Sequence, residues 1–205
     1  ARGSVTRYQY DANNRRTSIT EPDPDSDGPL AAPQTSFEYD ATGNLVRVID
    51  ARGQQTVHEY DRLDRRIRTT LPDPDGVAGE QEAPVLQYGY DQNGNLLSTI
   101  DALGRESRIV YDALGRPVEY WTDDVDRPER VGYDSAGRVI WREDQEGRRT
   151  TFAYDRLNRQ VAVTLPDPDG DGPLAGPGQA FIWDLNGNLL ARTDARGNTE
   201  TYAYD

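Results

Sequence analysis

The sequence contains no cysteine, only one histidine among 205 residues, and no long apolar run. Without cysteine the chain cannot form disulfide bonds, use a catalytic thiolate or build a zinc site on thiolates. No stretch approaches the ~20 apolar residues that a membrane-spanning helix requires. These absences predict a protein without membrane insertion and without thiol chemistry.

Lysine is absent too, so all 23 basic residues are arginines, and the 36 acidic residues give a formal net charge of -13. An acidic surface repels phosphate backbones, which argues against nucleic acid as a partner. Only 35% of the residues are hydrophobic and the mean hydropathy is -0.87, so little material is available for a thick core. The 12 tyrosines and regularly placed aliphatic residues nevertheless argue against a disordered acidic linker.

An aromatic residue followed by aspartate recurs through the chain. The aromatic members are Tyr10, Tyr39, Tyr60, Tyr90, Tyr111, Tyr133, Tyr154, Trp183 and Tyr204. Their successive spacings are 29, 21, 30, 21, 22, 21, 29 and 21 residues, so the basic period is 21 and three units are longer. A fixed period is the signature of a repeat architecture. The pattern predicts one array over 1–205 with about nine in-phase units.

Each short unit contains two breaks, such as DATGN at 40–44 and DARGQ at 50–54. Aspartate followed by glycine three residues later is typical of a type I turn that ends in a left-handed residue and closes a β-hairpin. The opening aspartate can accept hydrogen bonds from the amides of its own turn. The fourth position of every first break must then tolerate positive φ. It is occupied by Asn14, Gly43, Asp64, Gly94, Gly115, Gly137, Asn158 and Gly187.

Between the breaks, side chains alternate with period two, and neither face is wholly polar. Such strands suit a sheet held together by cross-strand ladders of tyrosine and aliphatic residues instead of a deep core. No segment shows helical periodicity with caps. The predicted fold class is all-β: tandem β-hairpins that form an extended spiralling sheet or a partial barrel or shell, with almost no helix.

The pattern YDxxGNLxxxxDxxGxxTxxxYD resembles the YD, or Rhs, repeat over essentially the whole chain. The matching signature residues are Tyr39, Asp40 and Gly43; Tyr90, Asp91 and Gly94; Tyr111, Asp112 and Gly115; Tyr133, Asp134 and Gly137; Trp183, Asp184 and Gly187. The resemblance extends to bacterial Rhs and wall-associated proteins, insecticidal toxin-complex cocoons and teneurins. It implies a hairpin array that spirals into a hollow shell, which in the polymorphic-toxin members encloses a cytotoxic C-terminal domain.

The resemblance implies a structural role, as the wall of a β-shell that encases a toxin or as part of a cell-surface structure, in a secreted or surface-exposed bacterial protein. The chain begins ARGSV, and both termini fall at fixed phases of the repeat. We therefore expect a fragment, open at both ends, whose partners are the rest of the parent protein and an enclosed C-terminal toxin. The family's self-cleaving terminator region has no counterpart here. Open sheet edges predict self-association.

Calcium is the one cofactor that the sequence suggests. Asp23, Asp25 and Asp27, and likewise Asp167, Asp169 and Asp171, reproduce the D-x-D-x-D-G start of a calcium loop. The twelfth position is Gln34 in the first loop and Gly178 in the last, where a bidentate glutamate is required. A metal-free turn is the alternative, because Asp-Pro-Asp-Gly is itself a strong turn former.

The sequence does not favour catalysis. Nearly all aspartates open turns, His58 lies in a strand beside Val57 and Glu59, and no nucleophile elbow exists, so no catalytic residue is predicted and the protein is not expected to be an enzyme. A carbohydrate- or receptor-binding surface module is the alternative to a structural role. Its candidate residues are Tyr120, Trp121 and Trp141, although aromatic ladders in sheets are more often packing than sugar platforms.

Overall fold

The computed structural model describes residues 5–25, 31–75, 81–124, 126–168 and 176–205. These residues form seventeen β-strands and no helix, which confirms the all-β prediction. With no helix in the described ranges, there is none that could cross a bilayer. The chain divides into two compact units, 1–106 and 107–205.

The first unit is an antiparallel meander in which each strand pairs with the next along the chain. Its strands are β1 (Arg7–Tyr10), β2 (Arg16–Thr20), β3 (Gln34–Tyr39), β4 (Leu45–Ile49), β5 (Gln55–Tyr60), β6 (Arg66–Thr70), β7 (Val85–Tyr90) and β8 (Leu96–Ile100).

The second unit is a meander of the same kind. Its strands are β9 (Glu106–Tyr111), β10 (Pro117–Trp121), β11 (Glu129–Tyr133), β12 (Val139–Glu143), β13 (Arg149–Tyr154), β14 (Gln160–Thr164), β15 (Gly178–Trp183), β16 (Leu189–Thr193) and β17 (Thr199–Thr201).

The turns that follow the aromatic–aspartate pairs have the predicted backbone. In the turn at 40–44, the amide of Gly43 donates to the carbonyl oxygen of Asp40, as a type I turn requires. The fourth position is left-handed in all eight turns, with φ of 59° at Asn14, 105° at Gly43, 58° at Asp64, 92° at Gly94, 74° at Gly115, 84° at Gly137, 62° at Asn158 and 92° at Gly187. The prediction of positive φ is therefore confirmed at every position.

Each of these hairpins carries a β-bulge at its aromatic residue. Gln9 pairs with Ser18, but the next residue, Tyr10, pairs with Arg16, so two residues of the returning strand lie opposite one tyrosine. The same shift occurs in the other seven hairpins. A bulge increases the local twist and redirects nearby side chains. It therefore sets the direction of the aromatic residue at the point where the strand ends.

The sheet of each unit is a single layer with little fully buried surface. Among the described residues, the only buried hydrophobic side chain is Ala191, and the buried polar ones are Ser18 and Thr69. One face carries aromatic and aliphatic pairs such as Phe37 with Val48. The opposite face carries both polar and apolar pairs. Cross-strand pairs at intermediate burial therefore stabilise the sheet, as predicted.

The connections at the strand ends opposite the aromatic–aspartate turns alternate between two classes. Every second connection is a tight turn opened by aspartate, namely those at Asp50, Asp101, Asp144 and Asp194. The connections between them are longer and occupy residues 21–33, 71–84, 122–128 and 165–177. The connection 122–128 belongs to the longer class, although the aromatic–aspartate pairs on either side of it, at Tyr111 and Tyr133, are only 22 residues apart. The structural repeat is therefore a four-stranded module of two hairpins.

Candidate functional site

The aspartate of the signature holds its turn together. The Oδ1 atom of Asp40 accepts hydrogen bonds from the amides of Thr42, Gly43 and Asn44 at 3.0, 2.8 and 2.8 Å. Its Oδ2 atom accepts one from the side-chain amide of Asn44 at 3.1 Å. Desolvation acts to raise the pKa of Asp40, but these bonds and one from the Thr42 hydroxyl outweigh it and lower the pKa to about 2. The carboxylate is therefore an ionised cap of the turn.

The residue at the fifth position of the turn assists the aspartate in both kinds of tight turn. Hydrogen bonds from this residue are the main cause that holds the aspartate pKa below its ordinary value. This is so for Asp11, Asp61, Asp91, Asp101, Asp112, Asp134, Asp155, Asp184 and Asp194. The tight turns at both ends of the strands are thus stabilised by the same hydrogen bonds between the fifth residue and the aspartate.

A fifth-position arginine also reaches the neighbouring hairpin. Arg15 donates from Nε to Asp11 Oδ2 at 2.7 Å and from a terminal nitrogen to the carbonyl oxygen of Asp40 at 3.1 Å. Its guanidinium lies 4.8 Å from the centre of the Tyr39 ring. One side chain therefore joins two successive turns by an ion pair, a hydrogen bond and a cation–π contact. We call this arrangement the arginine clamp.

Four arginine clamps bridge the longer connections. Besides Arg15, they are Arg65 to Asp91 and Tyr90, Arg116 to Asp134 and Tyr133, and Arg159 to Asp184 and Trp183. In each case the clamp lies at one end of a strand pair whose other end is joined by a longer connection. A fifth clamp, from Arg138 to Asp155 and Tyr154, lies opposite the tight turn at Asp144. At the four longer connections the clamp holds together two strands that the connection itself restrains only weakly.

The aromatic residue completes the link between hairpins. Tyr39 donates its hydroxyl hydrogen to the carbonyl oxygen of Arg16 in the preceding hairpin at 3.0 Å. The equivalent bond joins Tyr60 to Leu45, Tyr90 to Arg66, Tyr133 to Pro117 and Tyr204 to Leu189, at 2.9 to 3.0 Å. Trp183 makes it from its indole nitrogen to Gln160 at 2.9 Å. Tryptophan can replace tyrosine because both present a donor at the far end of a flat ring.

Sequence reasoning did not assign this role to the fifth position. Its partners lie 17 to 26 residues away, for example 25 residues from Arg15 to Asp40 and 17 from Arg138 to Asp155. One signal was available, because in the aromatic–aspartate turns this position holds only arginine or asparagine: Arg15, Asn44, Arg65, Asn95, Arg116, Arg138, Arg159 and Asn188. Asparagine can also form a link, since Asn44 donates to Asp64 Oδ1 in the next turn at 2.7 Å.

The sequence matches a family of proteins whose repeats form a shell. A family model described as the teneurin YD-shell matches residues 2–166. The chain belongs to the YD-shell family. Its turns, clamps and aromatic links are thus those of a structural scaffold. No curated protein matches the sequence significantly.

Solved structures of Tc toxin complexes contain the same YD-shell fold. A crystal structure of TcdB2-TccC3 aligns with a TM-score of 0.71 and 17% identity, and covers 94% of this chain and 11% of that chain. The Photorhabdus luminescens Tc holotoxin pore aligns with a TM-score of 0.67 and 20% identity, and covers 97% of this chain and 11% of that chain. At these identities the likeness shows the fold alone. The chain spans only about a ninth of the length of these relatives.

The candidate calcium ligands of this YD-shell chain are only partly described. Asp23 accepts a hydrogen bond on Oδ1 from the amide of Asp25 at 3.1 Å, which is a turn contact. Asp167 is described too, whereas Asp27, Asp169 and Asp171 lie outside the described residues. The described residues contain no group of three or more acidic, histidine or cysteine side chains that could hold a metal ion. Calcium binding therefore stays a prediction.

The remaining candidate residues of this YD-shell chain contact side chains and backbone of their own or neighbouring strands. His58 Nδ1 lies 3.0 Å from the Thr69 hydroxyl, and burial lowers its pKa. The Trp141 indole covers Gly132 so closely that a Cβ there would lie 2.1 Å from the ring, and Arg149 lies 4.2 Å from the ring centre. Trp121 donates to Glu119 at 3.0 Å. Glycan binding by these tryptophans stays a prediction.

Proposed function

We propose that this chain is wall material, a strip of β-hairpins in a larger secreted or cell-surface bacterial protein. The arginine clamp is the observation that carries the proposal. The signature aspartates accept hydrogen bonds from their own turns, and aromatic residues such as Tyr39 and Trp183 donate to the adjacent hairpin. The polar groups of the repeat therefore serve to join one hairpin to the next. A surface built from such links has a mechanical role.

The same contacts support a role without catalysis. A general acid must carry a proton near neutral pH, and its efficiency is greatest when its pKa lies near the working pH. The turn aspartates have lowered pKa values, and their oxygens accept hydrogen bonds from turn amides. They are suited to hold backbone and poorly suited to exchange protons with a substrate.

We further propose that the parent protein encloses a C-terminal toxin domain behind this wall. The likeness to the Tc holotoxin pore supports the proposal. A cell-surface structure without cargo is the alternative, and the teneurin YD-shell match is compatible with it.

Electron microscopy of the parent protein tests the proposal, combined with limited proteolysis. We expect a closed wall around a lumen, and a C-terminal region that resists protease. Deletion of residues 55–105 removes one four-stranded module but keeps the tight turn at Asp50, and we expect it to expose the C-terminal region to protease. The exposed-face substitution Ile182→Ser serves as the control and should leave protection unchanged. A parent without a lumen, or equal digestion with and without the deletion, would contradict the proposal.

A further inference from the structure

The position two residues before the aromatic residue of each aromatic–aspartate pair holds a ring in most hairpins. The rings are Tyr8, Phe37, His58, Tyr88, Phe152, Phe181 and Tyr202. The two exceptions follow one another along the repeat, with Ile109 in β9 and Val131 in β11. The repeat therefore departs from this pattern at one place, in the strands β9 to β12 of the second unit.

The arginine that covers the ring is replaced at the same place. The guanidinium of Arg16 lies 5.0 Å from the centre of the Phe37 ring, and that of Arg66 lies 5.1 Å from the centre of the Tyr88 ring. Each arginine is the first residue of its strand, and the first residue of β10 is Pro117. The cation–π contact that stabilises two hairpins of the first unit is thus given up at β10 and β11.

A cavity of about 340 Å³ lies beside Val131. Tyr120, Thr122 and Tyr133 also line it, and Tyr120 is 36% exposed. Cavities that bind small molecules have volumes of ~300–1,000 Å³ and are lined mainly by apolar and aromatic groups, with a few polar groups that fix the orientation of the ligand. Because valine is smaller than the rings at the equivalent positions, the cavity has room for a flat ring.

Two charged side chains at the cavity are available to a ligand. Glu129 lies two residues before Val131 in β11, and Arg142 lies opposite Val131 in β12, so the two charges are diagonal neighbours about 7–8 Å apart. Neither side chain forms a hydrogen bond or an ion pair with another residue in the described part of the chain. The other charged residues of the lining, Arg130 and Glu143, pair with each other at 3.5 Å.

We propose that this cavity binds an aromatic α-amino acid through its ring and both of its charged groups. The ring takes the place that side chains such as Phe37 fill in their own hairpins, and it packs against Tyr120. Glu129 accepts hydrogen bonds from the ammonium group, and the planar guanidinium of Arg142 donates to the carboxylate. Such a ligand has no net charge, so the net charge of -13 on the chain does not oppose its approach.

NMR titration of the full chain with small aromatic probes tests the site. Phenylalanine carries both charges, phenethylamine lacks the carboxylate, 3-phenylpropionate lacks the ammonium group, and N-acetylphenylalanine amide lacks both. We expect a dissociation constant of about 1 mM for phenylalanine, since a cavity open to solvent holds a small ligand weakly. The other probes should bind at least about tenfold more weakly, because each loses a charge-assisted hydrogen bond.

Single variants assign each charge of the ligand to its side chain. Glu129→Gln should weaken the binding of phenylalanine by about tenfold and leave 3-phenylpropionate unchanged, because that probe has no ammonium group. Arg142→Gln should weaken phenylalanine to a similar extent and leave phenethylamine unchanged. Arg192→Gln is the matched control, since Arg192 lies opposite Phe181, at the position equivalent to Arg142. It removes the same charge and should leave binding unchanged.

Val131→Phe gives β11 the ring that the equivalent strands carry and fills the cavity. We expect it to abolish the binding of every probe and to leave the melting temperature of the chain unchanged, because the sheet accepts a ring at this position elsewhere, as at Phe37 and Phe181. Should this variant unfold, the Glu129 and Arg142 variants still decide the matter, since both side chains are exposed.

Several results would overturn the inference. Phenylalanine that does not bind at tens of millimolar would remove the site, and binding that survives Val131→Phe would lie elsewhere. Equal affinity for the N-acetyl amide would show that the cavity receives an aromatic side chain of a polypeptide, and a preference for glucose would assign it to carbohydrate. The inference goes beyond the wall function and does not depend on a lumen in the parent protein, so the two can fail separately.

Discussion

At the scale of single residues, the aromatic–aspartate signature divides its work among three positions. The aspartate caps its own turn, the fifth residue reaches the neighbouring turn, and the aromatic residue donates a hydrogen bond to the preceding hairpin. Each position can be tested separately, because substitutions exist that remove one contact and keep the shape of the side chain.

Tyr39→Phe removes only the hydroxyl that donates to the carbonyl oxygen of Arg16. We expect a loss of about 1 kcal/mol in the free energy of unfolding, because a carbonyl oxygen loses its donor. Urea denaturation measures the effect. Tyr88→Phe is the matched control, since the Tyr88 hydroxyl makes no hydrogen bond within the described residues and its ring contacts Arg66. Equal losses in the two variants would contradict the assigned role.

Arg65→Lys tests the arginine clamp. Arg65 bonds Asp61 and the carbonyl oxygen of Asp91 and lies 4.9 Å from the centre of the Tyr90 ring. Lysine keeps the charge but lacks the planar fork that makes these contacts together. We expect a loss of about 2 kcal/mol in the free energy of unfolding, and a loss at least as large in Arg65→Ala. Arg52→Ala, at an exposed turn position, should cost less than about 0.5 kcal/mol. A lysine variant as stable as the parent chain would refute the clamp.

At the scale of elements, close packing between neighbouring strands fixes the positions of single glycines. Gly132→Ala places a Cβ where the Trp141 ring now lies, 2.1 Å from its nearest atoms. We expect a loss of about 2 kcal/mol in the free energy of unfolding and a shift of tryptophan emission, because the indole must move. In a Trp141→Val background the same glycine substitution should cost much less. An equal cost in both backgrounds would show that the clash is not the cause.

The longer connections are the elements on which calcium binding depends. If the alternate aspartates bind calcium, millimolar calcium should raise the melting temperature relative to chelator. Asp23→Asn combined with Asp167→Asn should abolish the shift. Asp73→Asn is the control, because its connection keeps only two of the alternate aspartates. A melting temperature that does not respond to calcium would remove the metal proposal and leave the metal-free turn.

The turns and the strands between them could largely be predicted from the sequence, because the conformation of a turn depends on its own few residues. The left-handed positions followed from the restriction to glycine, asparagine and aspartate, and the structure confirms them at Asn14 and the other seven turns. The four-stranded module could not be predicted in the same way. The connection 122–128 lacks the Asp-Pro-Asp pattern of the other three longer connections, and the arginine clamp joins residues that are distant in sequence.

At the scale of the whole molecule, stability is spread over many similar turns, so acid should act on all of them together. A carboxyl group with a lowered folded-state pKa stabilises the protein fully above its unfolded pKa, and this contribution is lost as the pH falls through the folded value. For Asp40 the window runs from 3.8 down to about 2.

We therefore expect the free energy of unfolding to fall steeply as the pH drops from 3.8 towards 2. Urea denaturation at successive pH values measures the slope. Asp40→Asn should be less stable at neutral pH and should show a shallower slope, since one titrating cap is absent. A parent chain whose stability does not change across this window would contradict the role of the turn carboxylates.

The position of the arginine clamp has a consequence for how such a strip can vary. A strand pair that is fastened at one end tolerates a longer link at the other, because the entropic cost of closing a loop grows only slowly with its length. Insertions, foreign epitopes or binding peptides placed within 122–128 should therefore be accepted with little loss of stability, whereas the same insertions at the aromatic–aspartate turns should not. The aromatic–aspartate turns are therefore fixed by their contacts, whereas at the opposite ends of the strands the longer connections can change in length and sequence.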